Sequence, residues 1–210
     1  MSENSITELG NPAKPYGEAG ELMLKRMGVS HRNVTDWALS HLDIDGSEWV
    51  LDIGCGGGDA LKKMSARITD GKLFGIDYSE VSVELSKKNN IADVESGKTE
   101  IIQADVANLP FGDDTFDVIF TIESFYFWKN QIDCLKEVRR VLAPDGVFMI
   151  IADIHGDAEL SQDEIDSVKK YNLFNPTLAQ FRELLEKAGF FNIKIHTKDG
   201  EKWVCTESMK

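Results

Sequence analysis

The chain has 210 residues, 42% hydrophobic and 28% charged, a composition that suits one globular domain and argues against intrinsic disorder. With 23 Lys and Arg against 36 Asp and Glu, its net charge is −13, so a phosphate backbone is repelled and nucleic acid is not an expected partner. The longest apolar stretch, around Val147 to Ile154, is broken by Asp153 and falls far short of the ~20 residues that a membrane span needs.

Residues 1–16 are polar, carry Pro12 and Pro15, lack an apolar signal core and predict an irregular lead-in. Val34, Trp37, Ala38 and Leu42 recur at helical spacing behind Ser30, which is the expected cap. From residue 48 strands and helices alternate. Trp49-Val50-Leu51 runs into Asp52 and a glycine-rich turn, and Leu61, Met64 and Ile68 mark the helix after it. Lys72 to Asp77 predicts a second strand, with Ser79 capping the next helix. Glu100 to Gln103 is a short third strand and Phe116 to Ile122 a fourth. Ile132, Leu135, Val138, Val141 and Leu142 form a helical face closed by the turn Pro144-Asp145-Gly146. Val147 to Ala152 is the fifth strand.

Thr177 with Gln180 has the capping-box pattern and opens a helix through Leu185 that stops at Gly189. Phe191 to Thr197 and Glu201 to Thr206 flank Lys198-Asp199-Gly200, a hairpin signal, so the last strand must run antiparallel to its neighbour. Continuous apolar strands between amphipathic helices require a parallel sheet covered on both faces. The expected fold is α/β: a doubly wound, Rossmann-like, mostly parallel seven-stranded sheet with an antiparallel last strand. Residues 1–47 would form a helical extension or lid, and residues 48–210 the main domain.

The chemistry concentrates in Val50-Leu51-Asp52-Ile53-Gly54-Cys55-Gly56-Gly57-Gly58, where a strand enters a glycine turn and a helix opens near Asp59. Glycine admits positive φ and lets a ligand lie against the backbone, and the helix N-terminus offers N–H groups to an anionic atom. The nicotinamide fingerprint Gly-x-Gly-x-x-Gly does not fit: counted from Gly54 its last position is Asp59, and from Gly56 it is Leu61. The pattern is Asp-x-Gly-x-Gly-x-Gly, from Asp52 to Gly58.

In these residues the chain resembles the class I S-adenosylmethionine-dependent methyltransferases. The resemblance implies methyl transfer from S-adenosylmethionine to a small-molecule nucleophile. It implies a cofactor site of Asp52, Gly54, Cys55, Gly56 and Gly58, with Asp77 accepting from the ribose hydroxyls and Tyr78 against the adenine face. Asp105 would accept from the adenine amino group, with Val106 as an apolar wall. Glu123 would hold the methionine end of the cofactor or a substrate amine. The stretch Lys14-Pro15 through Gly20, with Met27, His31 and Trp37, and the run Glu123-Ser124-Phe125-Tyr126-Phe127-Trp128 look like one subgroup of small bacterial members. The match covers residues 48–152 closely.

Ligands of such sheets sit at the C-terminal ends of the strands. Glu123 and the four aromatics after it lie at the end of the fourth strand, and Asp153 and His155 follow the fifth. Glu123, Tyr126 and His155 are therefore the catalytic candidates, His155 as a proton acceptor beside a carboxylate. Rival readings are a non-catalytic cofactor-binding module and a nicotinamide oxidoreductase. Cys55, Cys134 and Cys205 are odd in number and not in metal-ligand spacing, so free thiols, no metal site and a cytoplasmic location are expected. The methyl acceptor and the oligomeric state carry no motif.

Overall fold

A computed structural model of the chain describes residues 9–210. Its strands are β1 (Trp49–Ile53), β2 (Lys72–Asp77), β3 (Thr99–Gln103), β4 (Phe116–Ile122), β5 (Leu142–Ala152), β6 (Phe191–Thr197) and β7 (Val204–Met209). They form a seven-stranded sheet in the order β3-β2-β1-β4-β5-β7-β6, with helices on both sides. This is the doubly wound α/β fold that the alternation of strands and helices predicts. By compactness the chain divides into residues 1–105 and 106–210.

The first unit carries β1 to β3, all parallel. Its helices are α1 (Gly17–Ser30), α2 (Arg32–Leu39), α3 (Asp59–Ser65), α4 (Glu80–Asn89) and α5 (Ile91–Glu95). Val50 and Leu51 in β1, and Leu73 and Phe74 in β2, are buried at successive positions, as a parallel sheet covered on both faces demands. The register pairs Ile53 with Ile76 and Asp77 with Gln103, so β1 ends one residue short of β2 and its glycine turn begins level with Asp77. Ser79 caps α4 as expected, its hydroxyl accepting from the N–H of Ser82 at 3.3 Å.

The N-terminal segment differs from its sequence reading. Ser30 does not cap a helix; it ends α1, and its hydroxyl donates to the Met27 carbonyl. The reading of residues 1–16 as an irregular lead-in lies partly, over residues 1–8, outside the described residues. Helix α1 escapes periodicity because it buries only Gly20, Met23 and Leu24. Helix α2 is built into the unit: Val34, Ala38 and Leu39 are buried, and Arg67 donates to the carbonyls of Leu39 and Leu42 at 2.7 Å each.

The second unit carries β4 to β7, a single 3-10 turn (Phe125–Phe127) and helices α6 (Gln131–Val141), α7 (Gln162–Lys170) and α8 (Leu178–Lys187). Strand β4 runs parallel to β5, and β7 is antiparallel to both β5 and β6, between which it lies. The chain reverses after β6 and inserts its last strand inside the sheet, not at the edge. Two sequence expectations shift here. Pro144-Asp145-Gly146 is an irregularity within β5: Phe116 pairs with Leu142 but Val118 with Val147, and Asp145 takes φ +63°.

The last strand is Val204–Met209, not 201–206. An apolar reading stops at Thr206, yet Thr206 and Ser208 are fully buried because their hydroxyls are satisfied. Thr206 accepts from the Ile150 N–H at 3.2 Å, and Ser208 donates to the Phe148 carbonyl at 3.3 Å. Helix α7, which the sequence reading does not place, has a complete Ser161–Glu164 capping box but buries no residue, so no apolar stripe announces it. Among the described residues no helix is long and apolar enough to cross a membrane.

Candidate cofactor site

After β1 the backbone turns through Gly54, Gly56 and Gly58 at φ +75°, +51° and +80°. The N–H groups of Gly54 and Cys55 both donate to the Ile76 carbonyl, at 2.8 and 2.9 Å, which ties the turn to the end of β2. The glycines are needed for different reasons. A Cβ on Gly58 would lie 2.4 Å from both the Ser86 hydroxyl and the Asn90 amide nitrogen, so packing against α4 excludes a side chain. A Cβ on Gly56 would meet only Leu24 Cδ2, at 3.5 Å. That flank of the loop is open space, the approach a ligand needs.

Asp77 ends β2 with its carboxylate in two backbone hydrogen bonds. Oδ2 accepts from the N–H of Gly56 at 3.0 Å and Oδ1 from that of Ser79 at 2.8 Å. Burial raises the Asp77 pKa, and these N–H donors oppose the shift. Asp52 is buried at 2% exposure; desolvation, and then the charge of Asp77, hold its pKa well above the carboxylate range. The Cys55 thiol is likewise pushed up, first by burial and then by Asp52 and Asp77, and its sulfur lies 3.8 Å from the Ser86 hydroxyl. Cys55 is thus a packed, protonated thiol.

A raised carboxyl pKa in the folded state is a linkage statement. Folding then favours the protonated form, so the contribution to stability is present below the unfolded-state pKa and is lost as pH rises through the raised folded value. Asp52→Asn removes that loss. The ligand-free variant is expected to melt above the wild type at pH 8, with the gap closing toward pH 4. A constant or inverted difference in melting temperature would show that Asp52 is not a strained charge.

The remaining cofactor candidates sit at the same ends of β2 and β3. Tyr78 is half exposed, and the Lys14 ammonium lies over its ring, 4.0 Å from the centroid. Ala104 donates its N–H to the Asp77 carbonyl at 3.1 Å, which holds the chain before Asp105 beside the end of β2. The Asp105 side chain is exposed and Val106 is half-buried. The first unit thus gathers Asp52, Gly54, Cys55, Gly56, Gly58 and Asp77 around one turn, with Tyr78 and Asp105 at its border. Sequence reasoning missed Ser79 as an anchor of Asp77, and it missed Asn89 and Asn90. Two asparagines at a helix C-terminus resemble an ordinary end of helix.

In the second unit Glu123 follows β4 at φ +54°, a left-handed conformation that costs a non-glycine residue on the order of 1–2 kcal/mol. Its side chain is buried, with Oε1 accepting from the Asp153 N–H at 2.5 Å and Oε2 from the Tyr126 hydroxyl at 2.9 Å. Burial, then the charge of Asp153, raises the Glu123 pKa well above the usual range, and burial with Glu123 raises that of Tyr126. The geometry brings Glu123, Tyr126 and Asp153 together.

His155 plays a different part. Its Nδ1 accepts from the Asp157 N–H at 3.3 Å, and burial lowers its pKa. With Nδ1 accepting, the neutral ring carries its proton on Nε2. Of the four aromatics, Phe125 and Trp128 are core, packed edge-to-face at 5.1 Å, whereas Tyr126 and Phe127 are half-buried.

A doubly wound sheet, a glycine turn after its first strand and an acidic residue closing its second define a protein that binds a nucleoside-bearing cofactor. Residues 51–150 match the methyltransferase domain family, and the chain belongs to the class I S-adenosylmethionine-dependent methyltransferases. Over 152 residues it is 31% identical to the O-methyltransferase cnsE of Penicillium expansum, covering 70% of this chain and 54% of that protein. Over 186 residues it is 25% identical to the uncharacterized methyltransferase YdaC of Bacillus subtilis, covering 88% and 95%. The chain thus spans about half the length of the fungal relative and nearly all of the bacterial one. A S-adenosylmethionine-dependent methyltransferase from Aquifex aeolicus superposes with a TM-score of 0.70 at 19% identity, over 100% of this chain and 98% of that one.

Proposed function

We propose that the chain transfers a methyl group from S-adenosylmethionine to a small-molecule nucleophile. The observation that carries this reading is the Asp77 carboxylate, fixed by the N–H groups of Gly56 and Ser79 beside a loop flank that a Cβ at Gly56 would fill. Asp77 would take the ribose hydroxyls, with Tyr78 and Val106 against the adenine and Asp105 on its amino group. Gly54, Gly56 and the N-terminus of α3 would lie along the amino-acid tail.

When bound, the cofactor supplies a methyl group on a sulfonium that is already a leaving group. The protein's part is then to align the acceptor and to exclude water, and alignment is worth up to ~7–11 kcal/mol. Glu123, hydrogen-bonded to Tyr126 and to the backbone of Asp153 at the end of β4, is the group proposed to meet the acceptor or exchange a proton with it; burial raises its pKa from the usual carboxylate range. The acidic surface favours neutral or cationic metabolites over nucleic acids, and the Penicillium relative, an O-methyltransferase by name, points to oxygen as one acceptor atom. A cytoplasmic location fits three free cysteines.

Calorimetry with S-adenosylmethionine, S-adenosylhomocysteine and NAD tests the cofactor, and transfer of labelled methyl to metabolite pools tests the reaction. Binding of NAD in place of the methionine cofactors would sink the reading. So would tight S-adenosylmethionine binding with no labelled product in any pool, which would leave a non-catalytic binding module.

Residues 1–47 are proposed to serve partly as a lid, carried by α1 and residues 11–16 before it. The Ser79 hydroxyl donates to the Pro15 carbonyl, Lys14 covers Tyr78, and Leu24 is the nearest side chain to the open flank of Gly56. Helix α2, pinned by Arg67, stays with the core. Amide exchange across residues 14–30 should slow when S-adenosylmethionine binds, as for a segment ordered over its ligand. Equal exchange there, with protection confined to the loops at Gly56, Asp77 and Asp105, would show that α1 only packs on the sheet.

A further inference from the structure

Helix α4 ends in two adjacent carboxamides that reach across to the glycine turn. Asn89 Nδ2 donates to the Gly57 carbonyl at 2.9 Å, and Asn90 Nδ2 donates to the Gly58 carbonyl at 3.1 Å. The second proton of the Asn90 amide goes to the Ser86 carbonyl at 2.9 Å. Both neighbours of the Asn90 nitrogen are carbonyls, so the opposite orientation of the amide would set oxygen against oxygen; the assignment is fixed by its surroundings.

This leaves Asn90 Oδ1 buried with no hydrogen-bond partner, a state that disfavours the folded chain. A leucine would fill much the same volume without that cost. The two donated hydrogen bonds are therefore the reason for an asparagine at this position. The close approach of the turn to α4 allows them: Gly58 is left-handed, and a Cβ there would collide with Asn90 and Ser86.

The effect on the turn follows from peptide planarity. The peptide bonds are trans, so a carbonyl drawn one way turns the N–H of the next residue the other way. Drawing the Gly57 and Gly58 carbonyls toward α4 points the N–H of Asp59, at the start of α3, away from α4. It also holds the left-handed conformation of Gly58 that α3 starts from.

We propose that Asn89 and Asn90 are positioning residues of the cofactor loop: their carboxamides set the Gly57 and Gly58 peptides and thereby the affinity for the methyl donor. The proposal rests on the reading of this turn as the cofactor site. Asn90→Asp is the nearly isosteric probe. As a carboxylate the new side chain repels the Gly58 and Ser86 carbonyls, whereas once protonated it regains one donor.

The dissociation constants of S-adenosylmethionine and S-adenosylhomocysteine are to be measured for wild type and variant from pH 5.5 to 8. The variant is expected to bind at least tenfold more weakly than wild type at pH 8, and within threefold of it at pH 5.5. A ratio that stays within twofold at pH 8, or that is the same at both pH values, overturns the proposal, since a general loss of packing has no reason to follow protonation. If that variant does not fold, Asn89→Ala, at the exposed end of the clamp, decides: a loss of threefold or more supports it and a smaller one overturns it. Wild type that binds neither ligand would sink the cofactor reading itself, a result distinct from a variant that binds as wild type does.

Discussion

Gly56→Val is expected to abolish S-adenosylmethionine binding while leaving a folded chain. Gly56 sits at φ +51°, a region that a β-branched residue enters only with strain. Its Cβ would nonetheless find room in the ligand-free protein, since the nearest heavy atom is Leu24 Cδ2 at 3.5 Å. The new side chain would occupy the flank proposed for the cofactor. Calorimetry should show no heat of binding, with circular dichroism unchanged. Gly58→Val is the control for the opposite case: its Cβ would lie 2.4 Å from two polar atoms of α4, so that variant should lose the fold along with the binding. Affinity near wild type in Gly56→Val would mean that the loop is a structural turn and no more.

Asp77→Ala is expected to weaken S-adenosylmethionine binding by about 1.5–3 kcal/mol, the range for a hydrogen bond to a charged group, which is about 10- to 150-fold. Two losses add here. The carboxylate proposed to accept from the ribose is gone, and the N–H groups of Gly56 and Ser79 lose the acceptor that fixes the turn. Stability should move less than affinity, because a buried carboxyl with a raised pKa is itself costly at neutral pH. Asp77→Asn separates the two contributions: a carboxamide oxygen can still accept from one of the two N–H groups, so its binding should fall between wild type and Asp77→Ala. An unchanged dissociation constant in Asp77→Ala would remove the residue from the site.

The sequence by itself determined the class of the fold and the place of the glycine turn. Both are local properties. Five apolar strands with amphipathic helices between them leave a covered parallel sheet as the only economical burial, and a run such as Gly54-Cys55-Gly56-Gly57-Gly58 after a buried strand has few uses other than a tight turn beneath a ligand. The cap at Ser79 and the capping box at Thr177 were legible for the same reason, since donor and acceptor lie within one turn of chain.

Only the tertiary structure decided what depends on partners distant in sequence. The final strand could not be bounded from its own residues, because Thr206 and Ser208 look like surface and are buried through bonds to β5. The aromatic run after Glu123 divides into core and half-buried members according to what packs on it, with Phe125 against Trp128 and Phe181. His155 has its Nδ1 met by a backbone N–H two residues on, a contact that its residue type does not announce. Asn89 and Asn90 carry no signal at all in the sequence, since their meaning lies in two carbonyls about thirty residues upstream. Periodicity reports the face that each segment buries; hydrogen bonds made across the fold are reported by nothing short of the fold itself.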